Sequence, residues 1–553
     1  MKKQTFLFLI IIIVAALLRF WQLGKVPVSL NWDEVALGYN AYSVMQTGKD
    51  EFGQSFPILL RSYDDYKPAF YMYLIMPLIS LFGLSEVAVR LPSAMAGVVG
   101  VVLTYFLTKE LMKDQRERKD KKKITNYLPL LTSFLLAISP WHIQFSRAAF
   151  EANVSLMFTL AGILLLLKSI RNSFYLIPAA ILFSLTYYTY QSAKVFTTLL
   201  VGLLIVLYWK DRIKIDRIRI VSGLLFILLS VPFFWVTLTN PDALLRAKGV
   251  SVFTEENPRY AKSIVRIAES YEQKDVFGIV LNNRRIVHGI NVVNGYLSHF
   301  NPEWLFLPGT QYRFQAPGTG LLYLFEMPFM LVGIYSFVFG PFSRKTKLLV
   351  FGIIALTPIA ASITRDVPHP IRVLTFLPMF QLLTALGLIT IILWLGKRHM
   401  IFRWGGYMII VLLAFLNVAQ YLDNYFIQYN RIGSTVWQYG YKEATAKVKE
   451  LENKYDKIVF SNIEPLEQSY MFYLFYSQYD PKTYLEQGGT VSGGFAEPHA
   501  FGKYEFRPIT PEDNKQNILL IGRPADIPET ARQINIIEYL EGTPAIVIAD
   551  GNS

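Results

Sequence analysis

Apolar runs about as long as a bilayer crossing recur along this chain, near residues 5–22, 88–111, 126–141, 152–168, 173–190, 195–209, 220–238, 321–341, 347–363, 372–395 and 404–422. A water-facing helix keeps one polar face, so runs that are apolar all round point to lipid as the solvent. The shortest reach about 15 residues, which snorkelling ends or a thin bilayer accommodates. With 53% hydrophobic residues overall, the chain reads as an α-helical polytopic membrane protein of about 11 transmembrane helices. Residues 1–3 and the apolar run 6–18 have the order of a secretory signal. Arg19, Phe20 and Trp21 then stand where small cleavage-site residues belong, so the run reads as a retained first helix with Trp21 at the outer interface.

The formal charge of +13 invites a nucleic-acid reading. Its Lys and Arg residues, however, sit in short clusters between apolar runs, as cytoplasmic loops do, so no nucleic-acid partner is expected. One further apolar stretch, 69–83, decides the topology. Reading it as interfacial places loops 113–123, 168–172, 210–219, 344–347 and 397–403 inside, with 7, 2, 5, 3 and 3 basic residues. The short outside loops 139–147, 186–194 and 364–372 then hold 1, 1 and 2. That asymmetry favours an interfacial helix over a span. It puts the first loop (24–87), a long loop (239–320) and the C-terminal region outside.

The C-terminal region loses the long apolar runs. Residues 440–455 have helical spacing, and IVF at 458, ILLI at 518 and AIVIA at 545 read as short buried strands. The expected division is a transmembrane domain, 1–424, and a small soluble α/β domain, 425–553, separable from it. GGTVSGG at 488–494 is a flexible loop by composition. Cysteine is absent, which removes disulfides, thiolate metal sites and a Cys nucleophile together.

Candidate chemistry gathers at the outer loops. Asp50 and Glu51 read as solvated loop charges. Asp33 and Glu34 follow Asn31 and Trp32 and precede an apolar helical pattern, so two readings stand: carboxylates favoured at a helix N-terminus, or a catalytic pair. Lys67, Arg90, Arg147 and Arg372 lie near outer membrane ends, either as snorkelling anchors or as ligands of an anion. Glu151, four residues after Arg147, can pair with it or serve a substrate. Tyr187, Tyr188 and Tyr190 read as an interfacial aromatic belt or a sugar platform.

Trp32-Asp33-Glu34, then Tyr66-Lys67-Pro68-Ala69-Phe70-Tyr71, then Val89-Arg90-Leu91-Pro92-Ser93-Ala94 together resemble the PMT/ArnT-like glycosyltransferases of the GT-C superfamily. Ser139-Pro140-Trp141-His142 with Ser146-Arg147, and His369-Pro370-Ile371-Arg372 with Leu377-Pro378, extend the resemblance over roughly residues 5–425. It implies a GT-C fold with interfacial helices in the first outer loop. It also implies sugar transfer from a polyprenyl-phosphate sugar donor to a hydroxyl-bearing acceptor (lipid, glycan or protein) at the outer face of the cell membrane. By that resemblance Asp33 is the base and Glu34 orients hydroxyls, while Lys67, Arg90, Arg147 and Arg372 hold the donor phosphate. Trp32, Tyr66, Glu151 and His369 are candidate substrate-binding residues. No cofactor is required; Glu151 and His369 would be the start of a divalent-metal site, but their spacing is not that of a ligand set. The rival readings are another GT-C activity, such as oligosaccharyl transfer or a glycan polymerase or ligase, and a lipid or polysaccharide transporter. A transporter would place ionisable residues midway through several spans, whereas these gather at outer ends.

Overall fold

The computed structural model describes residues 2–551 except 64, 114–121, 209–215, 242–248, 250, 254–257 and 516, so most of the basic loop 113–123 lies outside the described residues. Helix α1 (Lys2–Phe20) leads into the first loop, which holds α2 (Trp32–Thr47), strands β1 (Leu59–Ser62) and β2 (Asp65–Pro68), and α3 (Phe70–Phe82). There follow α4 (Glu86–Leu111), α5 (Lys122–Ile138), α6 (Pro140–Arg147), α7 (Glu151–Lys168), α8 (Leu176–Thr189), α9 (Ala193–Tyr208) and α10 (Arg217–Thr239). Beyond the long loop come helices Glu326–Phe339, Arg344–Leu356, Leu377–Leu395 and Met400–Asp423.

Each predicted apolar run falls on a helix. Among the described residues, 7 helices are long and apolar enough to cross a membrane, or 8 if the pair formed by α5 and α6, bent by 56°, counts as one. Ser173–Thr189, Ala193–Tyr208 and Glu326–Phe339 are shorter apolar helices at the remaining predicted positions. The run 126–141 is therefore not one continuous helix. Pro140 lacks the N–H that would continue the α5 ladder, and the Ser139 hydroxyl instead accepts from His142 N–H at 3.5 Å to start α6. At 13 residues, α3 is about 20 Å long, well short of the ~30 Å a span requires; its reading as a non-spanning helix agrees. Four charged residues buried in the bundle, Arg19, Arg90, Arg147 and Glu326, sit near one end, at the end of α1, the start of α4, the end of α6 and the start of Glu326–Phe339, while Glu110, also buried, lies at the other end of α4 and pairs with Lys113 and Arg171. Charged groups are cheapest to keep at the rim of the hydrocarbon layer, and four of these five lie at the end that carries the first loop.

The C-terminal region forms β3 (Lys457–Phe460), β4 (His499–Phe501), β5 (Tyr504–Phe506), β6 (Ile518–Gly522), β7 (Arg532–Glu538) and β8 (Pro544–Asp550), in spatial order β4-β5-β3-β6-β8-β7. Strand β3 is parallel to β5 and β6, and the other pairings are antiparallel. Helices Tyr441–Leu451 and Ser469–Ser477 cover the sheet on the side of the first loop. The two regions pack on one another: Val35, Tyr39 and Met72 of the first loop share one apolar core with Phe472, Phe475 and Ile548. Gly38 makes the approach possible, since a Cβ there would lie 2.5 Å from the Phe475 ring and 2.8 Å from Val89 of α4. Helix α2 is thus held from both sides.

The reading of Asp50 and Glu51 as solvated is overturned. Both are fully buried. Glu51 accepts from Asn40 Nδ2 at 2.9 Å, Thr490 Oγ1 at 2.7 Å and Tyr470 OH at 3.3 Å, which ties α2 to the glycine-rich loop 488–494. The Asp50 carboxylate accepts the Phe52 and Gln54 backbone N–H groups in a tight turn. A short-range turn and a partner more than 400 residues away both escape a reading by local composition.

Candidate active site

Asn31 sets the geometry. Its side chain accepts from the backbone N–H groups of Asp33 and Glu34, at 2.9 and 3.2 Å, and Glu34 returns a bond to Asn31 N at 3.1 Å, closing a capping box. Capping is therefore done by Asn31 and Glu34, which leaves the Asp33 carboxylate free of that duty. Asp33 instead receives Lys67 Nζ on one oxygen and Arg313 Nη2 on the other. Lys67 is delivered by β2, which pairs antiparallel with β1, and its side chain is only 8% exposed. Arg313 comes from the long loop; it also reaches Asn31 Oδ1 at 3.2 Å, and its guanidinium lies 4.4 Å from the centre of the Trp32 ring. Burial pushes the Asp33 carboxyl up, but the charges of Lys67 and Arg313 outweigh that and hold it well below the usual carboxylate range.

These groups face a cavity of about 160 Å³, lined by Asp33, Glu34, Lys67, Glu151, Tyr190, Gln191, Arg313, His369 and Arg372 among others. Arg372 stands in the 3₁₀ turn Pro370–Phe376 and donates to Thr364 Oγ1 at 2.5 Å and to Asp366 O at 3.1 Å. His369 is oriented from behind, its backbone N–H donating to His299 Nε2 at 3.2 Å. The other ring nitrogen of His299 lies 2.7 Å from Gly295 O, which fixes the tautomer as Nδ1–H. Glu151 begins α7. The i,i+4 relation to Arg147 is lost because Ala148 and Phe150 are extended between α6 and α7.

The structure does not bring every predicted residue to this cavity. Arg90 is fully buried, gripping Glu34 through Nε at 3.0 Å and Nη2 at 3.2 Å and the carbonyls of Leu23 and Pro27 through Nη1. Arg147 is buried likewise, on the carbonyls of Leu18, Arg19, Gln22 and Val26. Both satisfy the chain where α1 ends, where unpaired carbonyls and the negative end of the helix dipole favour a cation. Glu34, held by Arg90 and by Ala149 N–H at 2.9 Å, is a brace beneath Asp33, with its oxygens already engaged by the protein. Trp32 and Tyr66 do not line the cavity; the Tyr66 carbonyl accepts from the side chain of Gln191, which does. Of the three tyrosines only Tyr190 reaches it, since Tyr187 bonds Thr198 Oγ1 at 3.0 Å and Tyr188 bonds Leu229 O at 2.6 Å. Among the described residues no group of three or more His, Asp or Glu is placed to hold a metal ion.

Arg313 is the charged lining residue that sequence reading missed. It lies in a long loop, in Gln311-Tyr312-Arg313-Phe314, where no span end or periodicity distinguishes one cation from the others. The aromatic neighbours on both sides are the only local signal.

No family model and no curated protein matches the sequence. Among solved structures, the chain is similar to ArnT from Cupriavidus metallidurans in the apo state, at 11% identity with a TM-score of 0.51, over 98% of this chain and 97% of that one. It is similar as well to the same protein bound to undecaprenyl phosphate, at 11% identity and a TM-score of 0.50, with the same coverage.

Proposed function

Because the chain has the GT-C fold of a multi-pass membrane glycosyltransferase, we propose that it transfers one sugar from a polyprenyl-phosphate donor to the hydroxyl of an acceptor at the extracytoplasmic face, with Asp33 as base. The observation that carries this reading is the Asp33 carboxylate clamped between Lys67 and Arg313 at the wall of a cavity that also holds Arg372. A phosphate entering there competes with Asp33 for the same cations. As it takes Lys67 and Arg313, charge-assisted bonds form to its oxygens and the Asp33 carboxylate is released to accept a proton. The acceptor oxygen then bonds the anomeric carbon, the bond from that carbon to the phosphate oxygen breaks with its electron pair leaving on the phosphate, and the acceptor proton passes to Asp33. Fixed cations stabilise the departing charge. A second, narrower cavity shares Tyr190, Ile371 and Arg372 with the first and continues between Ala152, Ser155, Ala193 and Phe196.

Undecaprenyl phosphate, which the similar ArnT structure holds, serves as the probe. In native mass spectrometry of the chain in nanodiscs, the wild type should retain it, and Lys67→Ala and Arg372→Ala should weaken retention about tenfold or more, on the scale of a lost charge-assisted bond. Asp33→Asn removes the competitor and should retain it at least as well. Undiminished retention by Lys67→Ala would overturn the assignment.

A further inference from the structure

The long loop carries an apolar surface that neither the cavity nor the core uses. Helix Arg284–Ser298 presents Ile286, Ile290, Val293 and Leu297, each 41–58% exposed, at i, i+4, i+7 and i+11 on one face. The short helix before it, Val276–Leu281, exposes Val276 at 69%, Phe277 at 82% and Val280 at 53%. Residues 258–298 hold six Lys and Arg against three acids. The opposite face of Arg284–Ser298 is the one that packs on protein: His288, Asn291 and Gly295 are buried. It packs where the spanning segment Arg344–Ser362 ends, with Tyr296 OH donating to Ala355 O at 2.9 Å and a Cβ at Gly295 falling 2.9 Å from Ser362 O. The apolar stripe therefore lies beside the rim of the bundle, at the depth where a spanning helix leaves the bilayer.

We propose that residues 276–298 lie in the bilayer leaflet on the side of the cavity, apolar stripe buried among the acyl chains, and that this seat fixes the segment 362–372 through Gly295 and His299. An amphipathic helix with an apolar face, basic flanks and a packed back matches an interfacial membrane element, and anionic head groups complement its excess of cations. The connection to the cavity is direct. His299, one residue past the helix, receives the His369 backbone N–H, and Val252 N–H donates to Ile363 O at 3.0 Å while Arg365 Nε donates to Ser251 O at 3.2 Å. Thr364, in the same segment, holds Arg372. The bilayer thus forms one wall of the support for His369 and Arg372, whatever ligand those residues bind.

Because the chain has no cysteine, a single fluorophore can be placed at Phe277→Cys or Val280→Cys in nanodiscs. Both positions should be quenched several-fold more by doxyl-labelled lipid than by aqueous iodide. Stronger quenching by iodide, or by neither agent as when another protein copy covers the stripe, would overturn the seat. In hydrogen exchange, Ile290→Asp with Val293→Asp should speed the amides of residues 364–372 about tenfold or more while α4 and α7 keep their wild-type protection. Unchanged exchange at 364–372 with the stripe displaced from lipid would overturn the coupling. Neither readout uses the donor, so both stand or fall apart from the assignment of sugar transfer.

Discussion

At the scale of single residues, one aspartate is poised between two roles that its neighbours divide. Asn31 and Glu34 close the helix cap, and Asp33, two positions beyond the cap, is left to Lys67 and Arg313. Burial raises its carboxyl and the two cations lower it further than burial raises it. The folded group is thus depressed, so the stability it contributes is present above the ordinary aspartate range and is lost as pH falls through the folded value. The acid limb of kcat/KM, which reports the free enzyme, should for the same reason lie below that range. Arg313→Ala removes one of the two cations and should move that limb upward; a limb unmoved by the substitution would show that Arg313 does not act on Asp33. Lys67 and Arg372 were legible in the sequence because each stands in a short motif beside prolines. Arg90 and Arg147 stand at outer helix ends in the sequence just as those two do, since a cation that holds backbone carbonyls and one that faces a cavity differ only in what surrounds them.

Among elements, α2 is the one on which the site depends. Its N-terminal end presents Asp33, and just beyond its C-terminal end lies Glu51, buried against Tyr470 and Thr490 of the C-terminal region. Burial raises the Glu51 carboxyl from 4.5 to about 7, and its three hydrogen bonds only partly offset that. A raised folded value means that the native state holds the proton more tightly, so the stability this contact contributes is whole below 4.5 and falls as pH rises to about 7. Thermal unfolding between pH 5 and 8 should therefore show a decline in Tm across that window, flattened in Glu51→Gln; an identical pH dependence in the variant would remove Glu51 as its source. Asp50 is also raised by burial, with the Gln54 and Phe52 N–H groups pulling it back, so the variant is needed to separate the two. Helix positions were legible because lipid-facing runs are apolar all round. The break at Ser139 was not, because Ser and Pro inside an apolar run give a kink and a helix end the same local appearance.

For the whole molecule, the packing joins what composition divides. The C-terminal region reads as a separate domain because it lacks spans, yet its sheet and helices close on the first loop through one apolar core, with Gln438 Oε1 accepting the Trp32 backbone N–H at 2.9 Å. Partners so distant in sequence leave no trace in local pattern. The basic loops predict the sidedness: a single cysteine in 113–123 should resist an impermeant thiol reagent in intact cells, whereas one at Phe56, exposed in the first loop, should react. Labelling of the basic loop would invert the topology. If Asp33 drives transfer of a single sugar to an envelope acceptor, mass spectrometry of envelope lipids and glycans reads it out. Three strains suffice: one with the gene, one without it, and one carrying Asp33→Asn expressed and inserted to the wild-type level. A single-sugar mass difference should separate the first two, with the Asp33→Asn strain matching the strain that lacks the gene, as a loss of roughly two to four orders of magnitude in turnover requires. A wild-type pattern from Asp33→Asn would contradict it.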